Sequence, residues 1–266
     1  MKLSEETKSE LIRVAERVAD AARAESLRYF RSTDLNVENK EFDDFDPVTL
    51  ADRNAERVMR AVINAERPQD AILGEEFAPK DGTSGLTWVL DPIDGTRGYI
   101  SGTPTWGTLI AVSDEAGPVM GIIDQPYIGE RFRGGWGRAE LAGPLGQNSI
   151  ATKATKKLAD ATILTTFPEV GTAEEGAAFH RVAKACKLTR YGMDCYGYAL
   201  LAAGQVDLVV EAGLQSYDIQ APIALVQAAG GIVTSWDGGS AHDGGTAIAA
   251  ANPDIHREAM KLLQDA

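Results

Sequence analysis

Two carboxylates, Asp91 and Asp94, stand three residues apart in the stretch W-V-L-D-P-I-D-G-T at 88–96. Trp88, Val89 and Leu90 form an apolar run of strand type that stops at Asp91. Pro92 fixes its own φ and has no N–H to donate, which forces a turn. The turn brings Asp94 round toward Asp91 and leaves the Ile93 carbonyl free to face the same way. Hard oxygens gathered in so short a stretch suit Mg²⁺. Gly95 and Thr96 open a short helix, whose first N–H groups have no partner within the helix. That positive end is a seat for phosphate. Metal ligands beside anion-binding amides imply metal-assisted phosphate chemistry. The plainer reading of D-x-x-D-G-T is an Asx-turn joining a strand to a helix.

Further acid lies at comparable places. Glu75 and Glu76 follow the short strand Ala71-Ile72-Leu73 and Gly74, as Asp91 follows the next strand. An isolated E-E pair is commonly solvated, but two strand ends bearing carboxylates predict a shared acidic rim at one sheet edge. Asp218 opens a helix that follows the apolar run Val206–Val210. A carboxylate in a first helical turn is favoured by the dipole, so alone it reads as a cap. Asp46-Pro47 reads, alone, as a turn.

The elements that must position these residues follow from periodicity. A long helix is predicted from Ser4 to about Phe30, with Leu11, Val14, Ala15, Val18 and Ala22 on one face. Residues 31–45 are polar and acidic and read as a loop. A second helix runs from Leu50 to about Glu66, ended by Pro68. Strands are expected at 71–73, 88–90, 106–112, 119–124 and 130–134. The loop-rich, basic segment 143–157 places a lobe boundary near 150. An N-terminal α+β lobe (1–150) would then carry most of the acidic positions and the phosphate seat. A C-terminal α/β lobe (151–266) would carry Asp218. Within it, strands are expected at 161–166, 187–190, 206–210, 232–236 and 246–250. Helices are expected at 173–185, at 194–203, from Asp218 and from Pro253.

Composition bounds the partners. The chain has 266 residues, 44% hydrophobic and 24% charged, which suits one large domain or two lobes sharing a core. A formal net charge of −13 argues against a nucleic-acid backbone or an anionic membrane as partner. Cys186 and Cys195 are too few for a disulfide framework and point to a reducing, cytoplasmic setting. The N-terminus has no signal-peptide core, and no apolar run is long enough to span a bilayer. His180, His242 and His256 lack ligand spacing, and Gly135-x-Gly137 lacks the third glycine of a dinucleotide loop.

Four stretches in order resemble the inositol monophosphatase superfamily of Mg²⁺-dependent phosphatases. They are D-P-V-T-L-A-D at 46–52, G-E-E at 74–76, W-V-L-D-P-I-D-G-T at 88–96, and Y-D-I-Q-A-P at 217–222 with A-G-G at 229–231. The resemblance covers nearly the whole chain. Within the superfamily, R-Y-G-M-D-C-Y-G-Y at 190–198, Tyr217 before Asp218, and Arg97-Gly98-Tyr99 after D-G-T are most similar to the histidinol-phosphatase branch. The resemblance implies a layered α-β-α-β-α sugar-phosphatase fold of α+β class. It implies two or three Mg²⁺ held by Glu75, Asp91, Asp94, Asp218 and the Ile93 carbonyl. It further implies that Thr96 with Asp46 orients a water and that the Gly95 and Thr96 amides hold phosphate.

The expected activity is hydrolysis of a phosphate monoester by a metal-activated water, with Glu75 able to take its proton directly or through Thr96 and Asp46. L-Histidinol phosphate is the expected substrate, because Asp194 and Glu211 are carboxylates not needed for metal and suit an ammonium. Tyr196 or Tyr198 is a candidate to pack near the imidazole. Arg190 is placed to reach the phosphate or to hold Asp194. An inositol monophosphatase or bisphosphate nucleotidase is the alternative within the superfamily. A haloacid-dehalogenase phosphatase would need D-x-D rather than D-x-x-D, and an acidic cation-binding protein would need no turnover. A homodimer is the expected assembly.

Overall fold

The computed structural model describes residues 3–33, 37–39 and 47–265. Helix α1 (Glu5–Tyr29) begins where Ser4 Oγ accepts the Thr7 amide at 3.1 Å, with Glu5 and Glu6 in its positive first turn. Within the segment read as loop, β1 (Val37–Asn39) pairs antiparallel with β2 (Pro47–Thr49). Helix α2 (Leu50–Glu66) starts on a capping box: the Thr49 amide donates to Asp52 Oδ2 at 2.8 Å, and the Ala51 amide donates to Thr49 Oγ1 at 3.1 Å.

A seven-stranded sheet follows in chain order. Its strands are β3 (Ala71–Gly74), β4 (Thr87–Asp94), β5 (Gly107–Asp114), β6 (Gly117–Gln125), β7 (Glu130–Gly135), β8 (Arg138–Gly143) and β9 (Gly146–Ser149), with helix α3 (Thr96–Ile100) between β4 and β5. Only β3 and β4 run parallel. The hairpin β8–β9 occupies part of the segment expected as loop; its glycines and exposed polar residues hide the strand signal that backbone pairing supplies.

The second sheet has the order β11-β10-β12-β14-β13. Its elements are β10 (Thr162–Thr165), α4 (Ala173–Ala185), β11 (Leu188–Tyr191), α5 (Asp194–Ala202), β12 (Leu208–Leu214), α6 (Ser216–Ala228), β13 (Ile232–Thr234), β14 (Gly245–Ala250) and α7 (Pro253–Gln264).

Three apolar slabs stack these parts into α-β-α-β-α layers. Leu11, Val14 and Val18 of α1 and Met59 and Ile63 of α2 cover one face of the first sheet at Trp88, Leu90, Ile110 and Ile122. Val89, Leu109 and Ile123 face the other way, against Ala199 and Leu201 of α5 and Ile219 and Leu225 of α6. The far slab packs Phe179 of α4 and Ile255 and Leu263 of α7 against Ile163, Leu208 and Ile248. A strand alternates its side chains between faces, so a sheet buried on both sides must be apolar throughout. That is why β4 and β5 read as runs without polar alternation.

Strand β4 continues past Asp91 to Asp94, further than its apolar run suggests. Asp91 pairs with Leu109 and Asp94 with Gly107, so three steps on β4 match two on β5. The extra residue is a bulge at Pro92, where a missing N–H does no harm. Among the described residues, no helix is long and apolar enough to cross a membrane.

Candidate active site

The bulge in β4 delivers the first two carboxylates. Asp91 is buried and accepts the Ile93 amide at 3.0 Å through Oδ1, which fixes the turn. Asp94 accepts the Cys195 amide at 2.6 Å through Oδ2, so the positive start of α5 is spent on it. Asp218 enters from the first turn of α6, where it also accepts the Gln215 amide at 2.7 Å. Capping and facing the cleft are thus both true of Asp218. Oxygens of Asp91, Asp94 and Asp218 lie within 4.8 Å of one another.

These three line a cleft of ≈270 Å³ that also receives Glu75, Gly95 and Thr96. Burial first, then the charges of Glu75, Asp94 and Asp218, push the Asp91 carboxyl well above the usual carboxylate range. Burial, then Asp194 and Asp218, does the same to Asp94. Like charges held this close call for a cation, and every donor is a hard oxygen. The set therefore fits Mg²⁺ or a similar divalent ion and does not resemble a His/Cys zinc site.

Gly95 joins the two sides of the cleft. It caps α3 at φ +79°, and a Cβ there would come 2.7 Å from Asp194 Cγ. Both the backbone conformation and the space admit only glycine. Thr96 Oγ1 lies 3.1 Å from the Ile93 carbonyl and 3.5 Å from Asp52 Oδ1. Asp52 is buried, and burial pushes its carboxyl up to about 7 against the lowering hydrogen bonds of Thr49, with Glu75 and Glu76 adding repulsion. Asp46, expected beside Thr96, lies outside the described residues; among the described residues the carboxylate at Thr96 is Asp52. Both aspartates belong to D-P-V-T-L-A-D. The signal that favours the second is T-x-x-D, a capping box that turns the carboxylate inward at the start of α2.

The opposite wall comes from the second sheet. Glu211 of β12 is buried; its Oε1 accepts the Thr166 amide at 2.7 Å and hydroxyl at 2.9 Å, and its Oε2 accepts the Thr165 hydroxyl at 3.1 Å. Burial pushes it up to about 7, with the Thr166 bonds opposing. Asp194 is the first residue of α5, at φ +45°, but it does not cap that helix. Its Oδ2 accepts Thr105 Oγ1 at 3.3 Å. Burial raises it to about 6, while the Thr105 bond and the Arg97 charge hold it down. A non-glycine residue at positive φ beside a cleft is strain of the kind found at working sites.

Arg190 is not brought to this cleft. It sits exposed on β11, the edge strand of the second sheet, paired in register with Leu164. The cation at the cleft is Arg97, stacked 5.0 Å from the ring of Phe167. Neither was apparent as a site residue in the sequence. Tyr196 points away: its hydroxyl donates to Glu130 at 2.6 Å and its ring meets Phe132. Tyr198 is buried and lines the cleft.

The profile of the inositol monophosphatase family matches residues 7–266. This chain belongs to that family. It is 39% identical over 262 residues to a chloroplastic bifunctional phosphatase, IMPL2, from Arabidopsis thaliana, covering 94% of this chain and 74% of the relative. It is 35% identical to a histidinol-phosphatase from Streptomyces coelicolor, covering 95% of this chain and 96% of the relative. The structure of an inositol monophosphatase from Zymomonas mobilis superposes with a TM-score of 0.84 at 35% identity, covering 99% of this chain and 100% of that one. The chain is thus a phosphatase of this family, with an acidic cluster able to hold metal. The family's relatives carry more than one substrate name.

Proposed function

We propose that this protein is a Mg²⁺-dependent phosphomonoesterase whose substrate is L-histidinol phosphate. The observation that carries the substrate is the pair Glu211 and Asp194. Both are carboxylates lining the cleft, Glu211 buried and Asp194 half-buried, and neither belongs to the Asp91–Asp94–Asp218 cluster. A substrate made only of hydroxyls gives such charges no counter-ion; an ammonium does.

Two or three Mg²⁺ would be held by Glu75, Asp91, Asp94, Asp218 and the Ile93 carbonyl, and the bound metal would supply an activated water and charge for an in-line displacement. The amides of Gly95 and Thr96 take the phosphate oxygens at the start of α3. Thr96 Oγ1 orients the attacking water, and Asp52, next to it, is poised to take a proton near neutral pH. Glu75 offers a second acceptor from the end of β3. Glu211 and Asp194 hold the substrate's ammonium and so place its ester bond over the cluster. Burial of these groups keeps water from competing for the charge.

The test is a panel of histidinol phosphate, inositol 1-phosphate and an adenosine bisphosphate, each with Mg²⁺ and with excess EDTA. Histidinol phosphate is expected to give the highest kcat/KM, and EDTA to abolish all turnover. Faster turnover of inositol 1-phosphate overturns the substrate, and turnover in EDTA overturns the metal.

A further inference from the structure

Helix α2 carries a row of charged residues that the steps above use only at one end. Asp52, Glu56 and Arg60 are spaced i, i+4, i+8, so they stack along one face. Asp52 meets Thr96. The other two grip the backbone around Glu75. Glu56, fully buried, accepts the Glu76 amide at 2.7 Å through Oε2 and Arg60 Nε at 2.6 Å through Oε1. Arg60 then donates to the Phe77 carbonyl at 2.9 Å and the Ala78 carbonyl at 3.1 Å. On the other side, Gly74 presses so closely on the Glu56 carboxylate that any Cβ would collide with it. The Glu75 amide itself donates to Leu90 at 3.2 Å, tying it to the strand that ends in Asp91 and Asp94.

Glu75 is therefore the one residue of the segment 74–78 whose flanks are fixed by a buried ion pair while its own side chain reaches the cleft. A salt bridge placed only for stability has no need to spend an amide and two carbonyls of one short turn. Burying it costs desolvation that a purely apolar contact would avoid.

We propose that the Glu56–Arg60 pair is a positioning device that sets the Glu75 carboxylate at the metal cluster, and so governs metal affinity rather than recognition of the alcohol. This rests on Glu75 being a metal ligand. Residues that orient a ligand from behind typically carry about 10- to 100-fold in metal affinity when removed. Lys in place of Arg60 keeps the charge toward Glu56 but cannot reproduce the planar fork that reaches both carbonyls.

The experiment measures Mn²⁺ binding by titration calorimetry on the full chain without substrate, for the unaltered protein and for Glu56→Gln, Arg60→Lys and Glu75→Gln. Circular dichroism and thermal unfolding without metal identify the folded variants, and Arg60→Lys carries the test where Glu56→Gln fails to fold. A Mn²⁺ affinity lowered about 10- to 100-fold in Glu56→Gln and several-fold in Arg60→Lys is expected. KM for the ester at saturating Mg²⁺ should stay within about threefold, since the alcohol site is untouched. If Glu75→Gln loses affinity while both folded pair variants bind as the unaltered protein does, the positioning role is wrong and the metal site stands. If Glu75→Gln also binds normally, both fall.

Discussion

The two walls of the cleft are built on opposite plans. The wall from the first sheet is rigid and general. Asp91, Asp94, Gly95 and Thr96 occupy one bulge and one turn, each held by a backbone contact: Asp91 to the Ile93 amide, Asp94 to the Cys195 amide, the Gly95 carbonyl to the Tyr99 amide, Thr96 to the Ile93 carbonyl. What it would recognise on the proposed function, metal and phosphate, is common to any substrate of the family. The wall from the second sheet is assembled from three separate elements: Asp194 at the start of α5, Glu211 on β12 and Phe167 after β10. Its charges are held mainly by hydroxyls and one loop amide. If these carboxylates read the substrate as proposed, such contacts can be replaced singly, and substrate choice would vary on this side while the reaction is kept on the other.

The sharpest way to break this comparison is Asp94→Asn. The amide keeps an acceptor for Cys195 but removes the charge that Asp94 offers to metal. Turnover should fall on the order of 10³-fold or more for every phosphate ester. Near-normal kcat at modest Mg²⁺, with unchanged thermal unfolding, would remove Asp94 from the site. Asp52→Asn comes next, with kcat lowered about 10²-fold or more, as for loss of a general base. Mn²⁺ affinity should be less affected. The comparison variant Asp46→Asn should leave kcat near normal; equal losses in the two would return the role to both.

On the second wall the effects are smaller and selective. Glu211→Gln and Asp194→Asn should each lower kcat/KM for histidinol phosphate by about 30- to 150-fold, the cost of removing one buried charge partner. An ester lacking the amine should lose far less. Equal losses on both esters would mean that these carboxylates do not read the ammonium.

The smallest effect is on stability against pH. Burial raises the folded carboxyl of Glu211 from 4.5 to about 7. A raised folded value means that the folded state binds the extra proton, so this contribution is fully present below about 4.5 and is lost as pH rises through about 7. The span corresponds to on the order of 3 kcal/mol at most. Thermal unfolding of metal-free protein should show a shallower fall between pH 5 and 8 in Glu211→Gln than in the unaltered chain. The same ionisation should lower KM for the amine-bearing ester as pH rises through that window; a KM independent of pH would separate Glu211 from the substrate.

Much of the first wall was legible because its parts are local. Asp91, Pro92, Asp94, Gly95 and Thr96 are neighbours in the chain, and their turn and helix start follow from proline and glycine chemistry over six residues, whereas the bulge shows only in the pairing of β4 with β5. The long helices were legible for the same reason, since periodicity is read within one element. The second wall was legible only as residue types. Asp194 looks like a helix cap, and only packing of α5 against β4 and Gly95 turns its side chain into the cleft. Arg190 looks equally suited to an anion, yet its edge-strand position carries it away, and Arg97 stands in the cleft instead.

By itself, then, the sequence determined the family, the layered order of helices and strands, and the neighbouring carboxylates Asp91 and Asp94. These depend on spacing along the chain, which backbone geometry converts directly into position. Only the tertiary structure decided that Asp52 stands at Thr96, that Asp194 and Glu211 share a cleft, and that Glu56 and Arg60 brace the turn bearing Glu75. Those facts join residues on different elements, 15 to 44 positions apart. They are set by which faces of α2, α5 and β12 the apolar slabs bury, and a linear pattern does not carry that information.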